Sequence, residues 1–170
     1  MKYSLEVEQG TELPEDVIEE CVSVISEGCA VDSKSAAKEL PKAKDVTIVR
    51  AGGRIVGVGA IKESRPDYAL KIAKRSGISF DKNMLELGYV ARMHSHRGHR
   101  LSEQIVARLI RLAEGVPLFA TTSNETMKRT LTNAGFVKQG HEWNGRKKNR
   151  LSLWIRQPAS LDRIAHVKDQ

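Results

Sequence analysis

Alternating hydrophobic and polar residues predict a β-hairpin in the first half of the chain. Residues 45–50 and 54–61 are short runs rich in valine and isoleucine, and Gly52-Gly53 separates them. Glycine accepts the positive φ that two-residue hairpin turns require, so the two runs are expected to pair as antiparallel strands. Residues 2–8 alternate more weakly and are expected to form a first strand.

A longer alternating run predicts a further strand over residues 84–93. Period-two alternation assigns its side chains to two faces, one largely apolar and one of mixed character. Residues 116–122, 136–143 and 151–157 complete the set of predicted strands. The apolar face is expected to hold Leu85, Leu87, Tyr89 and Ala91, and the other face Glu86, Gly88, Val90 and Arg92.

Apolar residues at helical spacing predict amphipathic helices between these strands. Val17, Cys21, Val24 and Ile25 mark the first helix, which is expected to end before Gly28. Further helices are expected over 32–40, over 68–73 within a polar insertion at 64–83, from Leu101 to Gly115, and over 125–134, where Thr122 and Glu125 fit a capping box.

The order of these elements predicts a single α/β or α+β domain. Strands alternate with helices in the second half of the chain, which is typical of a sheet covered by helices. The chain has 170 residues, of which 40% are hydrophobic and 29% charged, so disorder of the whole chain is excluded. We expect one domain over 1–160 and a C-terminal tail over 161–170.

Composition narrows the class of protein and its partners. A net charge of +7 favours an anionic partner such as nucleic acid, acidic lipid or a phosphorylated ligand. No apolar run approaches the length of a membrane span, and the acidic N-terminal segment is unlike a signal peptide. With only Cys21 and Cys29, no disulfide framework is expected, and a cytoplasmic location is predicted.

The basic turn HSHRGHR, at residues 94–100, is a candidate anion-binding site. It leads into the N-terminus of a predicted helix, where free backbone N–H groups and the helix dipole attract negative charge. Arg97 and Arg100 add full positive charges that suit a diphosphate. A solvent-exposed turn with ordinary helix capping is the alternative explanation of the same residues.

This turn resembles the diphosphate-binding loop of the GNAT superfamily, the acyl-CoA-dependent N-acyltransferases. In that family the loop reads Arg/Gln-x-x-Gly-x-Gly/Ala at the end of the fourth strand, and the matching segment here runs from Arg97 to Ser102. Asn124 and a later Gly-Phe pair also match the family in their order along the chain. The resemblance covers about residues 40–160, and it implies one mixed, mainly antiparallel sheet of about six to seven strands flanked by helices.

The resemblance also implies that the chain binds acetyl-CoA as a cosubstrate. Two positions depart from the loop pattern, because Arg100 replaces the family's first glycine and Ser102 replaces its final Gly/Ala. Arg100 must point outward or contact a phosphate, whereas Ser102 is small and can donate a hydrogen bond. By the family's register, the cofactor-binding residues are Val90, Arg92, Arg97, Gly98, His99, Arg100, Leu101, Ser102 and Asn124.

The reaction implied by the resemblance is direct attack of a primary amine on the thioester, without an acyl-enzyme. Glu86 is the candidate general base, because a carboxylate can take the proton that a protonated amine must lose. A structural carboxylate paired with an arginine is the alternative role for Glu86. The backbone N–H of Val90 is expected to donate to the thioester carbonyl. Asn124 either contacts the pantetheine arm or only caps its helix.

The general acid is left open by the sequence. The tyrosine that often protonates the thiolate in this family aligns with Leu131, so Ser123, Thr130, Tyr68 and water are the alternatives. No metal site is expected, because no nearby Cys or Asp completes a set of ligands with the three turn histidines, His94, His96 and His99.

The acceptor is expected to be a small amine metabolite, an amino acid or a peptide amine. Two basic segments, 64–83 and 143–150, are expected to wall the acceptor side. The alternative function is a nucleic-acid-binding protein, or an acetyltransferase acting on an RNA-borne amine, because a basic loop lies beside Trp143 and Trp154. A CoA-binding relative without catalysis is a third option. No membrane partner is expected, and family members often form homodimers.

Overall fold

The computed structural model describes residues 1–28 and 31–158. Cys29 and the expected tail over 161–170 lie outside the described residues, so the tail and the domain extent over 1–160 stay predictions. Within the described part of the chain, no helix is long and apolar enough to span a bilayer.

Strands and helices alternate along most of the described chain. The strands are β1 (Tyr3–Glu8), β2 (Asp45–Ala51), β3 (Arg54–Glu63), β4 (Leu85–Arg92), β5 (Leu118–Thr122), β6 (Val137–Asn144) and β7 (Arg150–Arg156). The α-helices are α1 (Glu15–Gly28), α2 (Ser33–Glu39), α3 (Pro66–Ser76), α4 (Leu101–Leu112) and α5 (Glu125–Asn133).

All of these strands join one seven-stranded sheet in the order β1-β2-β3-β4-β5-β7-β6. Every neighbouring pair is antiparallel except β4 and β5, which run parallel. The crossover between the parallel strands contains α4, since a parallel pair cannot be joined by a tight hairpin. The expected α/β class, with one mixed and mainly antiparallel sheet flanked by helices, is confirmed.

Helices cover both faces of the sheet and create three apolar clusters. α4 packs across β2, β3 and β4, and it also contacts α5. α1 packs on β3 and β4, and α3 packs on β6 and β7. Burial of each large aliphatic side chain stabilises the fold by about 1.5–3 kcal/mol. Fully buried examples are Ile105 and Leu109 on α4, Ile25 on α1, Leu40 at the end of α2, and Phe119 and Leu153 in the strands beneath α3.

Three helices differ from their expected bounds or caps, and capping residues explain two of the differences. α3 runs from Pro66 to Ser76, because proline suits the first helical turn and Gly77, at φ +74°, caps the C-terminus of the helix. α5 is capped by Asn124 rather than Thr122, since the Asn124 Oδ1 accepts from the Met127 backbone N–H at 3.0 Å. α1 includes Gly28 instead of ending before it.

The expected face assignment of β4 is wrong beyond Gly88, where a β-bulge interrupts the strand. The β3–β4 register moves from Ala60 opposite Gly88 to Val58 opposite Ala91, so two residues of β4 face one residue of β3. The first of the two, Tyr89, adopts φ +56°.

The bulge exchanges the faces of the residues that follow it. Tyr89 and Ala91 pack into the cluster beneath α1, whereas Val90 packs with Leu85 and Leu87 on the α4 side. A one-residue insertion has this effect because side chains alternate with a period of two. Glu86 keeps its expected place beside Gly88.

Candidate active site

β4 and β5 stop pairing after two residues, and the gap between the diverging strands is called the cleft below. Their ladder contains only Leu85 with Leu118 and Glu86 with Phe119. Beyond these pairs β4 continues to Arg92 along β3, while β5 continues along β7. Ligands of sheets with parallel strands commonly bind beyond the carboxyl ends of such diverging strands.

The bulge lies on the β4 side of this cleft. Among the described residues, neither Tyr89 nor Val90 has a residue directly opposite it in β3 or β5. A left-handed backbone at a tyrosine is uncommon, and such conformations cluster at functional sites. Val90, expected from the sequence to bind the carbonyl, therefore lies at an irregular backbone position where β4 and β5 no longer pair.

The basic turn lies between β4 and α4, as the sequence predicts. His94–His96 form a short 3-10 turn, and Gly98 follows at φ +82° with open space around its Cα. Arg100 precedes α4 and adopts φ +56°, ψ +31°. This left-handed conformation is the one that glycine adopts without strain, so the position matches the family's glycine although an arginine occupies it.

The two departures from the family's loop pattern leave the helix N-terminus open. The Arg100 guanidinium points outward, where its Nε lies 3.0 Å from Glu103 Oε2 and its side chain is 76% exposed. Leu101 is fully buried and anchors α4 in the core, so only its backbone can face a ligand. Ser102 is half-buried in the first turn, where an N–H and a hydroxyl can both face an anion.

Two side chains from distant elements hold the turn, and the sequence analysis missed both. Glu27 Oε1, on α1, accepts the His94 backbone N–H at 2.8 Å. The Tyr3 hydroxyl, on β1, lies 2.9 Å from His96 Nδ1, and the Tyr3 and His99 rings are 5.3 Å apart. Among residues 1–28 and 31–158, no three His, Cys, Asp or Glu side chains are placed to hold a metal ion.

A charged cluster surrounds the expected base. Glu86 is only 6% exposed, and its Oε2 lies 3.5 Å from the Nζ of Lys62, its direct partner across the β3–β4 ladder. The same Nζ lies 4.2 Å from the centre of the Tyr89 ring. Burial raises the pKa of the Glu86 carboxyl, and the Lys62 ammonium opposes that rise. Glu86 is therefore paired with a lysine rather than with the arginine considered from the sequence.

Of the candidate general acids, Tyr68 is one whose phenol lies close enough to Glu86 for that carboxylate to affect its pKa. Its hydroxyl is 3.4 Å from Thr121 Oγ1. Burial, and then the neighbouring Glu86 carboxylate, raise the pKa of its phenol, so it stays protonated. Ser123 instead accepts a hydrogen bond from Asn149, Thr130 donates to its own helix, and Leu131 is fully buried in the core.

An open pocket of about 290 Å³ adjoins the charged cluster. Lys62 lines it together with residues of the β3–α3 connection, and α2 and the turn that follows supply the remaining wall. The pocket contains side chains of both charges and has the volume of a small metabolite. Its lining residues are Glu39, Lys42, Lys62, Glu63, Ser64, Arg65 and Pro66.

The two basic segments expected around the acceptor side contact each other. α3 packs on β6, and Arg75 donates to the Asn144 carbonyl at 3.1 Å. Trp154 is only 7% exposed, and its indole N–H donates to Ser152 Oγ at 2.9 Å. Trp154 therefore offers no stacking surface for a nucleic-acid base, which weakens the nucleic-acid alternative.

The remaining cofactor candidates occupy the rim of the cleft. Asn124 sits at the end of the β5–α5 connection, where its Oδ1 is engaged in capping, so its side-chain NH₂ is the group left for a ligand. Arg92 ends β4 and is half-buried. Cys21 is fully buried, and burial raises the pKa of its thiol to about 12, which makes it a core residue rather than a nucleophile.

The raised pKa of Glu86 gives an expected pH dependence of stability. A carboxyl whose pKa is higher in the folded state stabilises the fold at acid pH, and that stabilisation is lost as pH rises through the folded-state pKa. Glu86→Gln mimics the neutral carboxyl, so its unfolding temperature should exceed that of the wild type at pH 8 and match it near pH 4. Calorimetry from pH 4 to pH 8 measures this difference, with exposed Glu6→Gln as control. An equal difference at both pH values would contradict the burial argument.

Known proteins resemble this chain in structure but not in sequence. No protein-family model matches the chain, and no curated protein matches it in sequence. A GNAT-family acetyltransferase from Streptococcus agalactiae is similar in structure, with 13% identity, a TM-score of 0.68, and coverage of 92% of this chain and 96% of that one. An acyl-CoA N-acyltransferase from Pseudomonas aeruginosa has 12% identity and a TM-score of 0.66, over 91% of this chain and 99% of that one.

A third similar structure is that of a complex with acetyl-CoA. It is yncA from Salmonella typhimurium with its cofactor acetyl-CoA, which is 15% identical, with a TM-score of 0.64 over 94% of this chain and 96% of that one. Identities this low establish likeness of fold. The chain therefore has the fold of the GNAT-family acyltransferases, with its cleft, bulge and basic turn arranged around the diverging ends of β4 and β5.

Proposed function

We propose that this protein is an N-acetyltransferase that moves an acetyl group from acetyl-CoA to a primary amine. The observation that carries this proposal is the divergence of β4 from β5 after two paired residues, with a basic turn and the uncapped N-terminus of α4 following β4. The similarity to yncA, whose structure includes acetyl-CoA, supports the same ligand for this fold. The nine residues assigned to the cofactor from the sequence all lie on β4, on the turn and first residues of α4, or at the cap of α5.

The residues at the helix N-terminus fit a diphosphate. Gly98 has nothing within 4 Å of a Cβ position, so phosphate oxygens can approach the backbone there. Arg97 supplies positive charge, and His99, Arg100, Leu101 and Ser102 supply backbone N–H groups or a hydroxyl. Arg92 and the Asn124 amide lie on the rim, where we assign them to the pantetheine arm.

The chemistry that acetyl-CoA supplies is an activated thioester. Val90 is assigned to polarise the carbonyl through its backbone N–H, because a preorganised donor at that oxygen stabilises developing negative charge. Glu86 is assigned to take the proton from the attacking amine, directly or through a water molecule. A buried carboxylate with a raised pKa suits this role, because a general base works best when its pKa is near the operating pH.

The acceptor class follows from the pocket beside Lys62. Its volume of about 290 Å³ fits a small amine metabolite, an amino acid or the end of a peptide. Cations and carboxylates both line it, so an acceptor with its own carboxylate near the amine finds partners of opposite charge on its wall. We therefore rank such acceptors above polyamines, which carry only positive charge.

Thermal unfolding with acetyl-CoA is the direct test of the cofactor assignment. A ligand at 100 times its dissociation constant stabilises a protein by about 2.7 kcal/mol, which is about 5–10 °C for a domain of this size. We expect this rise with acetyl-CoA and not with ATP or an RNA oligonucleotide at equal concentration. Equal rises with all three polyanions, or no rise, would contradict the proposal. Release of free CoA on addition of amine mixtures then tests transfer.

A further inference from the structure

Lys62 is a largely buried lysine that contacts Glu86, the Tyr89 ring and the open pocket. Its Nζ lies 3.5 Å from Glu86 Oε2 and 4.2 Å from the Tyr89 ring centre, and its side chain is 20% exposed. A Cβ at Gly88 would lie 3.1 Å from Lys62 Cε, so the absence of a side chain at that position leaves the groove in which the lysine lies. Lys62 also lines the open pocket, so it is the residue that joins this pocket to Glu86.

The groups that face Glu86 make Lys62 its source of positive charge. The phenols of Tyr68, from α3, and Tyr89, from β4, contribute no positive charge, and burial raises the pKa of both, so they remain neutral around pH 7. Phe119 lies opposite Glu86 in β5 and is apolar. In the described part of the chain, Glu86 forms one ion pair, with Lys62. A buried carboxylate without such a partner takes up a proton instead of remaining charged.

We infer that Lys62 is a positioning residue for the proposed reaction: its ammonium keeps the buried Glu86 in the carboxylate form and holds it next to the pocket that Lys62 lines. This inference rests on the proposed function, in which Glu86 accepts the amine proton. It adds a residue whose role acts through Glu86 and not through contact with the thioester. An opposite charge at this distance changes the pKa of a carboxyl by about 1–3 units.

The test measures the Glu86 carboxyl directly and then the reaction. Glutamate labelled with ¹³C in the side-chain carboxyl is followed by NMR from pH 4 to pH 9, and Glu86→Gln identifies the signal. Lys62→Met keeps most of the apolar stem but removes the charge, so the Glu86 midpoint should rise by about 1–3 pH units. Lys62→Arg should return it towards the wild-type midpoint. Lys128→Met removes a lysine of similar exposure, 18%, that pairs with Glu125, and should leave the midpoint unchanged.

The pH profile of transfer gives the second readout. In Lys62→Met the acid limb of kcat/KM should move to higher pH by the same interval, giving a loss of about 10-fold or more at pH 7 that is recovered towards pH 9. The KM for acetyl-CoA should not change. If Lys62→Met fails to fold, the double variant Lys62→Met/Glu86→Gln should fold, because it leaves no unpaired buried carboxylate.

The outcomes separate this inference from the proposed function. A Glu86 midpoint that does not move in Lys62→Met overturns the inference. A midpoint that moves while the acid limb of kcat/KM stays in place supports the pairing but removes Glu86 as the base. A double variant that also fails to fold overturns the inference, because the defect would then not come from the unpaired carboxylate.

Discussion

Replacement of Glu86 by glutamine is expected to lower kcat by about 10²–10⁴-fold, the range over which general bases act. Glutamine has nearly the same size and cannot accept the amine proton, so the affinity for acetyl-CoA should stay within a few-fold of wild type. The side chain is only 6% exposed, and its pocket also holds the Lys62 ammonium, which makes an isosteric change preferable to alanine. Steady-state rates at saturating acetyl-CoA from pH 6 to pH 9 measure the effect, with calorimetric titration for the affinity.

Glu6→Gln is the matched control for this variant. Glu6 is also a strand carboxylate paired with a cation, since its Oε2 lies 3.1 Å from Arg50 Nε, but it is on β1 and its side chain is 44% exposed. Its removal should change neither kcat nor the pH profile. Equal kcat values for Glu86→Gln and wild type between pH 6 and pH 9 would remove Glu86 as the base and leave the structural ion pair as its role.

Ser102→Asp is expected to lower the affinity for acetyl-CoA by about 100-fold or more, without a loss of stability. The new carboxylate would lie in the first turn of α4, beside the N–H groups assigned to the diphosphate. Like charges in contact cost several kcal/mol, and about 2.7 kcal/mol corresponds to 100-fold. The helix dipole meanwhile favours an acidic side chain at this end, so the fold should be unaffected or slightly stabilised.

Ser102→Asn separates charge from size, because asparagine has nearly the shape of aspartate and no charge. We expect it to keep the affinity within about 10-fold, since it removes no more than one hydroxyl hydrogen bond. Pantetheine lacks the diphosphate, so its binding should be equal in both variants. Equal losses of acetyl-CoA affinity in the Asp and Asn variants would indicate steric exclusion, and full retention in Ser102→Asp would move the diphosphate away from this turn.

Most of the strands could be predicted from the sequence, because alternation and turn residues act over only a few neighbouring positions. The Gly52-Gly53 turn sets the register of the β2–β3 hairpin, and both glycines adopt positive φ. The turn before α4 could likewise be identified from its composition, since a glycine and two arginines precede an amphipathic helix. Arg100 itself adopts a left-handed backbone, a conformation that glycine takes more readily than arginine.

The bulge in β4 could not be read from the sequence. Tyr89 and Val90 are ordinary strand residues, and uninterrupted alternation is the natural extrapolation from Leu85 and Leu87. The bulge becomes visible only through the partners in β3, where Gly59 faces two residues of β4. Register between strands is a property of the pair.

The environment of the expected base was also decided by tertiary structure. The family resemblance pointed to Glu86 as the candidate base, but the sequence gave no reason to select Lys62 among 28 basic residues. Lys62 faces Glu86 because the β3–β4 register aligns them, and it can lie there because Gly88 has no side chain. Tyr68 arrives from α3 and Glu27 from α1, by packing between elements far apart in the chain.

The sequence by itself determined the order of strands and helices, the class of fold and the location of the basic turn, since propensity, periodicity and turn chemistry act over a few residues. Tertiary structure alone decided which strands diverge to open the cleft, where β4 bulges, and which cation faces the buried carboxylate. Those features depend on contacts between residues distant in sequence. The burial of Glu86 and its pairing with Lys62 arise only once the sheet has assembled.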